Sequence, residues 1–175
     1  IQTASEYQET RACVRMIERS DQRDVILVAD RGYENYNIMA HADQKGWKYV
    51  IRVKDVNSNG IASALDLPHA GSFDTDVTLT FTRKNNKKTK AAGYRWMPQN
   101  QMFDYLPPKS EDTYTRSFRI ARFKISDENY EVVVTNLDRS QFPSKNLKEI
   151  YQLRWGIETS FRELKYAIGL TSFHA

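Results

Sequence analysis

Val25-Ile26-Leu27-Val28-Ala29 is an unbroken apolar, largely β-branched run, and a run without alternation predicts a strand covered on both faces, in a sheet with parallel neighbours. Asp30 closes it. Upstream, from Ser5 to about Ser20, Tyr7, Cys13, Val14 and Ile17 recur among Glu, Gln and Arg, as an amphipathic helix requires. Downstream, Glu34 to Lys45 reads as a helix ended by Gly46, and Trp47 to Val53 as a second strand. The three elements predict a β-α-β unit with a right-handed crossover. Beyond Lys54 the period shortens to two. Val77, Leu79 and Phe81 alternate with Thr78, Thr80 and Thr82, Asn85-Asn86 offers a hairpin turn, and Tyr114–Ile125 and Tyr130–Thr135 read as further strands. Pro98, Pro107 and Pro108 mark loops. A final helix begins at Pro143-Ser144 and runs to about Ile168, before Gly169. The organisation expected is therefore α/β, with core elements in 1–54, an antiparallel β insertion in 55–136 and a core helix in 137–175.

Composition narrows the class only a little. The chain has 175 residues, 40% of them hydrophobic, enough for one domain with a sizeable core or a core interrupted by an insertion. Twenty-six basic against 22 acidic residues leave a net charge of +4, a weak pointer to a polyanionic partner. No apolar run nears the roughly 20 residues of a membrane span, and no signal-peptide pattern opens the chain, so a cytoplasmic protein without a membrane partner is expected. The first residue is Ile1, as if the chain were cut from a longer one. The single Cys13 has no disulfide partner and reads as core.

The final helix is the most informative segment. At about 100° per residue, Leu153, Ile157, Phe161, Leu164 and Ile168 fall within a stripe of roughly 80°, expected to face the core. Tyr151, Arg154, Glu158 and Lys165 fall within roughly 60° of one another beside it. Spacing alone leaves two readings open: a functional strip, or a solvated face with an ordinary Arg154–Glu158 pair worth a few tenths of a kcal/mol. Trp155 lies on the polar flank, suited to stacking on a base or sugar or to packing under the insertion. Asp30 likewise suits a catalytic acid or a simple helix cap. Arg83, Lys84, Lys87, Lys88 and Lys90 surround the predicted turn, as a solvated tip or a phosphate contact. His41, His69 and His174 have no sequence neighbours that would make them metal ligands.

Tyr151-x2-Arg154-x3-Glu158-x6-Lys165 resembles the Y-R-E-K signature of the IS4 family of bacterial transposases, with all four positions at the family's spacing. Val28-Ala29-Asp30-Arg31-Gly32-Tyr33 is similar to the segment bearing that family's second catalytic acid, Tyr49–Lys54 to the strand after it, and Val133–Leu137 to the strand leading into the last helix. The resemblance extends from Asp24 to Leu170. It implies an RNase H-like core with the β insertion between the second and third acids, and cut-and-paste transposition by strand cleavage and 3′-OH strand transfer. Asp30 and Glu158 would be catalytic and metal-binding, holding part of a pair of Mg²⁺ or Mn²⁺ ions. Such ions take oxygen ligands and serve both the attacking and the leaving oxygen of an in-line phosphoryl transfer. Tyr151, Arg154, Lys165, Arg52, Lys54, Trp155, Arg162 and Tyr130 would contact double-stranded DNA at transposon ends or target, Tyr130 as receiver of a flipped base. A first acid would precede residue 1, leaving this chain inactive alone, and a homodimer on paired ends is implied. A non-catalytic DNA-binding remnant and a plain RNase H-like nuclease are the competing readings. The long segment between Asp30 and Glu158 argues against the nuclease.

Overall fold

In the computed structural model the described backbone covers residues 4–126 and 129–167, and the described side chains 9–126 and 129–156. Helix α1 (Ala4–Arg19) leads into strand β1 (Ile26–Ala29), then α2 (Tyr36–Lys45) and β2 (Lys48–Val53). Strand β3 (Phe73–Thr82), the short helix α3 (Lys87–Ala91) and β4 (Arg95–Trp96) follow, and then β5 (Thr113–Lys124), β6 (Tyr130–Thr135) and α4 (Ser144–Ala167). All six strands form one mixed sheet in the order β1-β2-β6-β5-β3-β4.

The β-α-β unit forms as expected, but β1 is not covered on both faces: it stands first in the sheet order, only Ala29 of its residues is buried and Ile26 is 37% exposed. Strands β1 and β2 are parallel, with Ala29 opposite Ile51. Helix α2 ends where Gly46 takes a left-handed conformation at φ 76°, one that residues with a Cβ adopt only at a steric cost. Strand β6 pairs antiparallel with β2, and β5 with β6, so the β-rich middle of the chain continues the same sheet.

The expected hairpin at Asn85-Asn86 is absent. β3 pairs antiparallel with β5, from Phe73 opposite Arg122 to Thr82 opposite Thr113. Asn86 instead caps α3: its side chain accepts from the Thr89 N–H at 2.9 Å, and the Thr89 hydroxyl accepts from the Asn86 N–H at 3.2 Å. This reciprocal pair satisfies two donors that a helix start leaves open.

Strand alternation sorts the core into two layers. Tyr49, Ile51, Val53, Phe118, Ile120, Val132 and Val134 face the side of Ile17, Ile38 and Met39 from α1 and α2, with Cys13 buried there as expected. Val50, Ala121, Phe123 and Val133 face the other side and pack with Leu147 and Tyr151 of α4. This corrects the helical wheel. Leu153, assigned to the buried stripe, is 70% exposed, whereas Leu147 and Tyr151 are fully buried. The helix turns its Tyr151 edge inward because that edge finds both apolar contact and an acid at the sheet. The predicted stripe positions Ile157, Phe161, Leu164 and Ile168 lie outside the described side chains.

Strand β5 contributes three buried arginines, each facing an aspartate from elsewhere in the chain: Arg116 to Asp43 at 2.6 Å, Arg119 to Asp74 at 2.6 Å and Arg122 to Asp55 at 2.9 Å. Asp74 also accepts from the Ser144 hydroxyl at the first turn of α4.

Candidate active site

Asp30 follows directly on β1, where the chain bends into a single 3-10 turn over Arg31–Tyr33. Its Oδ1 accepts from the Arg31 N–H at 2.7 Å, so the capping role is real. The same carboxylate faces α4. The Tyr151 hydroxyl donates to Oδ1 at 3.3 Å, Arg154 Nη1 lies 3.9 Å from Oδ2, and Arg52 Nη1 lies 3.8 Å from Oδ1. Capping and site geometry therefore coexist in one residue.

Three elements produce this convergence. Because Ala29 sits opposite Ile51, the next residues, Asp30 and Arg52, project from the same face at the same level. Tyr151 anchors α4 on that face, and Arg154, almost one turn further, follows it. Arg154 Nε donates to the Tyr151 hydroxyl at 3.1 Å, and its guanidinium lies 4.7 Å from the Trp155 ring centroid. Tyr151 thus passes a hydrogen-bond chain from arginine to carboxylate.

Electrostatics keep the groups in complementary states. Partial burial pushes the Asp30 carboxyl up, but the Arg31 N–H bond, the Arg154 and Arg52 charges and the Tyr151 hydrogen bond outweigh it, and the pKa falls below the ordinary carboxylate value. Burial, then the Asp30 charge, push the Tyr151 phenol up against the two arginines. At neutral pH Asp30 is an anion and Tyr151 a proton donor. With a side-chain exposure of 44%, Asp30 is open to a ligand from solvent.

The remaining predicted residues divide. Lys54 is exposed just past β2. Trp155 is 48% exposed, beside Arg154. Tyr130 stands on the opposite sheet face from Asp30, where Arg122 lies 4.0 Å from its ring centroid. Glu158, Arg162 and Lys165 are in α4, but their side chains lie outside the described residues. Arg83 is no tip residue. It is buried and donates to the carbonyl oxygens of Leu106 at 2.8 Å, Gln101 at 3.0 Å and Pro98. Lys84 pairs with Glu111, and Lys87, Lys88 and Lys90 are exposed on α3.

Two features were missed by sequence reasoning. Glu131 is buried on β6 with a carboxylate oxygen 3.4 Å from Arg52 Nη2; an acid breaking the apolar segment 130–135 was the available signal. His41 does have acidic neighbours, Asp104 at 2.8 Å from Nε2 and Glu18 at 3.2 Å from Nδ1. They sit on opposite ring nitrogens and do not converge. Nothing in the spacing announced them.

As a metal ligand Asp30 fits in kind, since a hard divalent cation takes an ionised carboxylate oxygen. Among the described residues no group of three His, Cys, Asp or Glu side chains converges as a metal cluster. Nor is any helix among them long and apolar enough to cross a membrane.

The family model of the transposase DDE domain matches residues 2–175, and the chain belongs to that family. A mixed sheet flanked by helices agrees with the RNase H-like α/β fold of such domains, which act on DNA and use divalent metal ions. A search of curated proteins found no match.

Proposed function

We propose that the chain is the catalytic region of an insertion-sequence transposase of the IS4 family, cutting DNA and joining the freed 3′-OH in cut-and-paste transposition. The observation that carries the reading is the ionised Asp30 carboxylate at a strand end, ringed by Tyr151, Arg154 and Arg52 from α4 and β2. A lone structural cap needs none of these three partners.

Asp30 and Glu158 are the chain's contribution to the metal-binding carboxylates, with Glu158 four residues beyond Arg154 on α4. Bound Mg²⁺ or Mn²⁺ supplies Lewis-acid activation of the attacking oxygen and stabilises the leaving one. The chain's own groups position the phosphate. Arg154 offers a planar fork for two parallel hydrogen bonds to phosphate oxygens, and Tyr151 holds both that fork and the orientation of Asp30. Arg52, Lys54, Arg162 and Lys165 extend the cationic track along double-stranded DNA, as a homodimer on paired ends requires. Trp155 adds an aromatic surface beside it.

The test is cleavage of a transposon-end duplex with Mg²⁺ or Mn²⁺ by the protein and its Glu158→Gln variant. Cleavage should fall to background in the variant; undiminished cutting removes Glu158 from the site. In parallel, Arg154→Ala should weaken duplex affinity and reduce the slope of log affinity against log salt by about 1. An unchanged slope means that Arg154 does not meet phosphate.

A further inference from the structure

Glu131 is an acid in an unusual place. It is only 6% exposed, on β6 within the sheet, on the face that α4 covers, since Val133 two residues on packs with Leu147 and Tyr151. Arg52 stands between Glu131 and Asp30, with Nη2 3.4 Å from the first and Nη1 3.8 Å from the second. Both separations are long for a charge-assisted hydrogen bond, which closes at about 2.7–2.9 Å. The contrast with β5 is informative: Arg119 is closed on Asp74 at 2.6 Å and on the Phe142 carbonyl at 2.6 Å. All three nitrogens of Arg119 are engaged at hydrogen-bond distance, whereas Arg52 is tethered by looser contacts and keeps N–H donors for another acceptor.

We infer that Glu131 is a positioning residue: by holding one end of Arg52 it keeps the guanidinium from collapsing onto Asp30 and aims it at incoming phosphate. Two acids compete for one cation across neighbouring strands, and neither wins. Without Glu131, Arg52 closes a bidentate pair on Asp30, the geometry that guanidinium and carboxylate adopt by preference. That pair takes the arginine from the DNA and the carboxylate from its cation. The inference rests on the proposed DNA-facing role of this sheet face, and its test separates the two.

Sign is the discriminating readout. Deleting a negative charge near a polyanion by itself strengthens binding, whereas losing the tether weakens it. Duplex affinity of the whole chain, measured by fluorescence anisotropy at several salt concentrations, should fall about three- to tenfold in Glu131→Gln. It should be largely restored in Glu131→Asp, and the Glu131→Gln loss should vanish when Arg52→Met is already present, because a residue acting only through Arg52 has no effect without it. Equal or tighter binding by Glu131→Gln overturns the inference, as does an equal loss in the Arg52→Met background. Urea unfolding of the unsubstituted chain, Glu131→Gln, Arg52→Met and the double variant covers the folding risk. Arg52→Met alone strands a buried carboxylate and lowers the midpoint, and adding Glu131→Gln should restore it. If the two substitutions are additive in stability, the pair is not coupled and the tether does not exist. If the unsubstituted chain binds no duplex while the stability coupling is present, the tether stands and the DNA-binding reading of this face fails.

Discussion

Asp74→Asn is the substitution whose effect can be worked most fully. Asp74 accepts from Arg119 Nε at 2.6 Å and Nη2 at 2.5 Å, from Arg139 Nη2 at 3.2 Å, and from the Ser144 hydroxyl. Its side chain is 18% exposed and that of Arg119 only 3%, so solvent screens the pair little. Burial pushes the Asp74 carboxyl up, but the Arg119 and Ser144 hydrogen bonds and the arginine charges hold it down to about 2, from an ordinary 3.8. A carboxyl held that far below its ordinary value makes the ionised form worth roughly 2 kcal/mol to the fold. A folded-state pKa below the unfolded one gives stability that is complete above about pH 4 and lost as pH falls toward about 2. The amide variant lacks that stabilisation and leaves Arg119 as a buried cation without its acid, a situation that costs about 3–5 kcal/mol when one partner of a buried pair is removed. Urea denaturation at pH 7 should therefore show Asp74→Asn less stable by about 3 kcal/mol or more, and its acid profile should be flatter than that of the unsubstituted chain between about pH 4 and pH 2. A variant within about 1 kcal/mol at pH 7, or one with an identical acid profile, refutes the ion-pair account.

Leu147→Ala should cost about 2–5 kcal/mol in the same assay, because Leu147 is fully buried between α4 and the sheet; a loss under about 1 kcal/mol means that α4 is not docked as described. Tyr151→Phe removes a hydrogen bond to the Asp30 carboxylate and should raise the Asp30 pKa toward the ordinary carboxylate range. Carboxyl-carbon NMR titration measures it, and an unshifted or lowered value contradicts the bond.

The sequence was most informative where one local pattern met one environment. Gly46 stops α2 because its backbone needs positive φ, but the uniformly apolar Val25–Ala29 overstated burial: β1 stands first in the sheet order, only Ala29 is buried and Ile26 is 37% exposed. Asp30 was legible as a strand-end acid, and its neighbours were legible through the motif on α4. What escaped were facts set by distant partners. Tyr151 is more buried than Leu153 because its hydroxyl meets Asp30 across 121 positions of sequence, and a helical wheel sees no such partner. Asn86 was misread because Asn suits both turns and caps. The spacing to Thr89 was the clue to the cap. Buried Arg83 resembles its solvated lysine neighbours in composition, and only the carbonyls it meets distinguish it.

The arginines of β5 have a consequence for how the sheet finds its alignment. Arg116, Arg119 and Arg122 recur every three positions, so strand alternation sends the middle one to the face opposite its two neighbours. Their acids come from α2, β3 and the segment after β2. A slip of β5 by one residue exchanges the faces and buries all three cations among apolar side chains; a slip by two leaves every one short of its acid. Apolar patterning alone forbids only the odd slips. The three ion pairs together penalise the even ones as well, so the strand carries its own address.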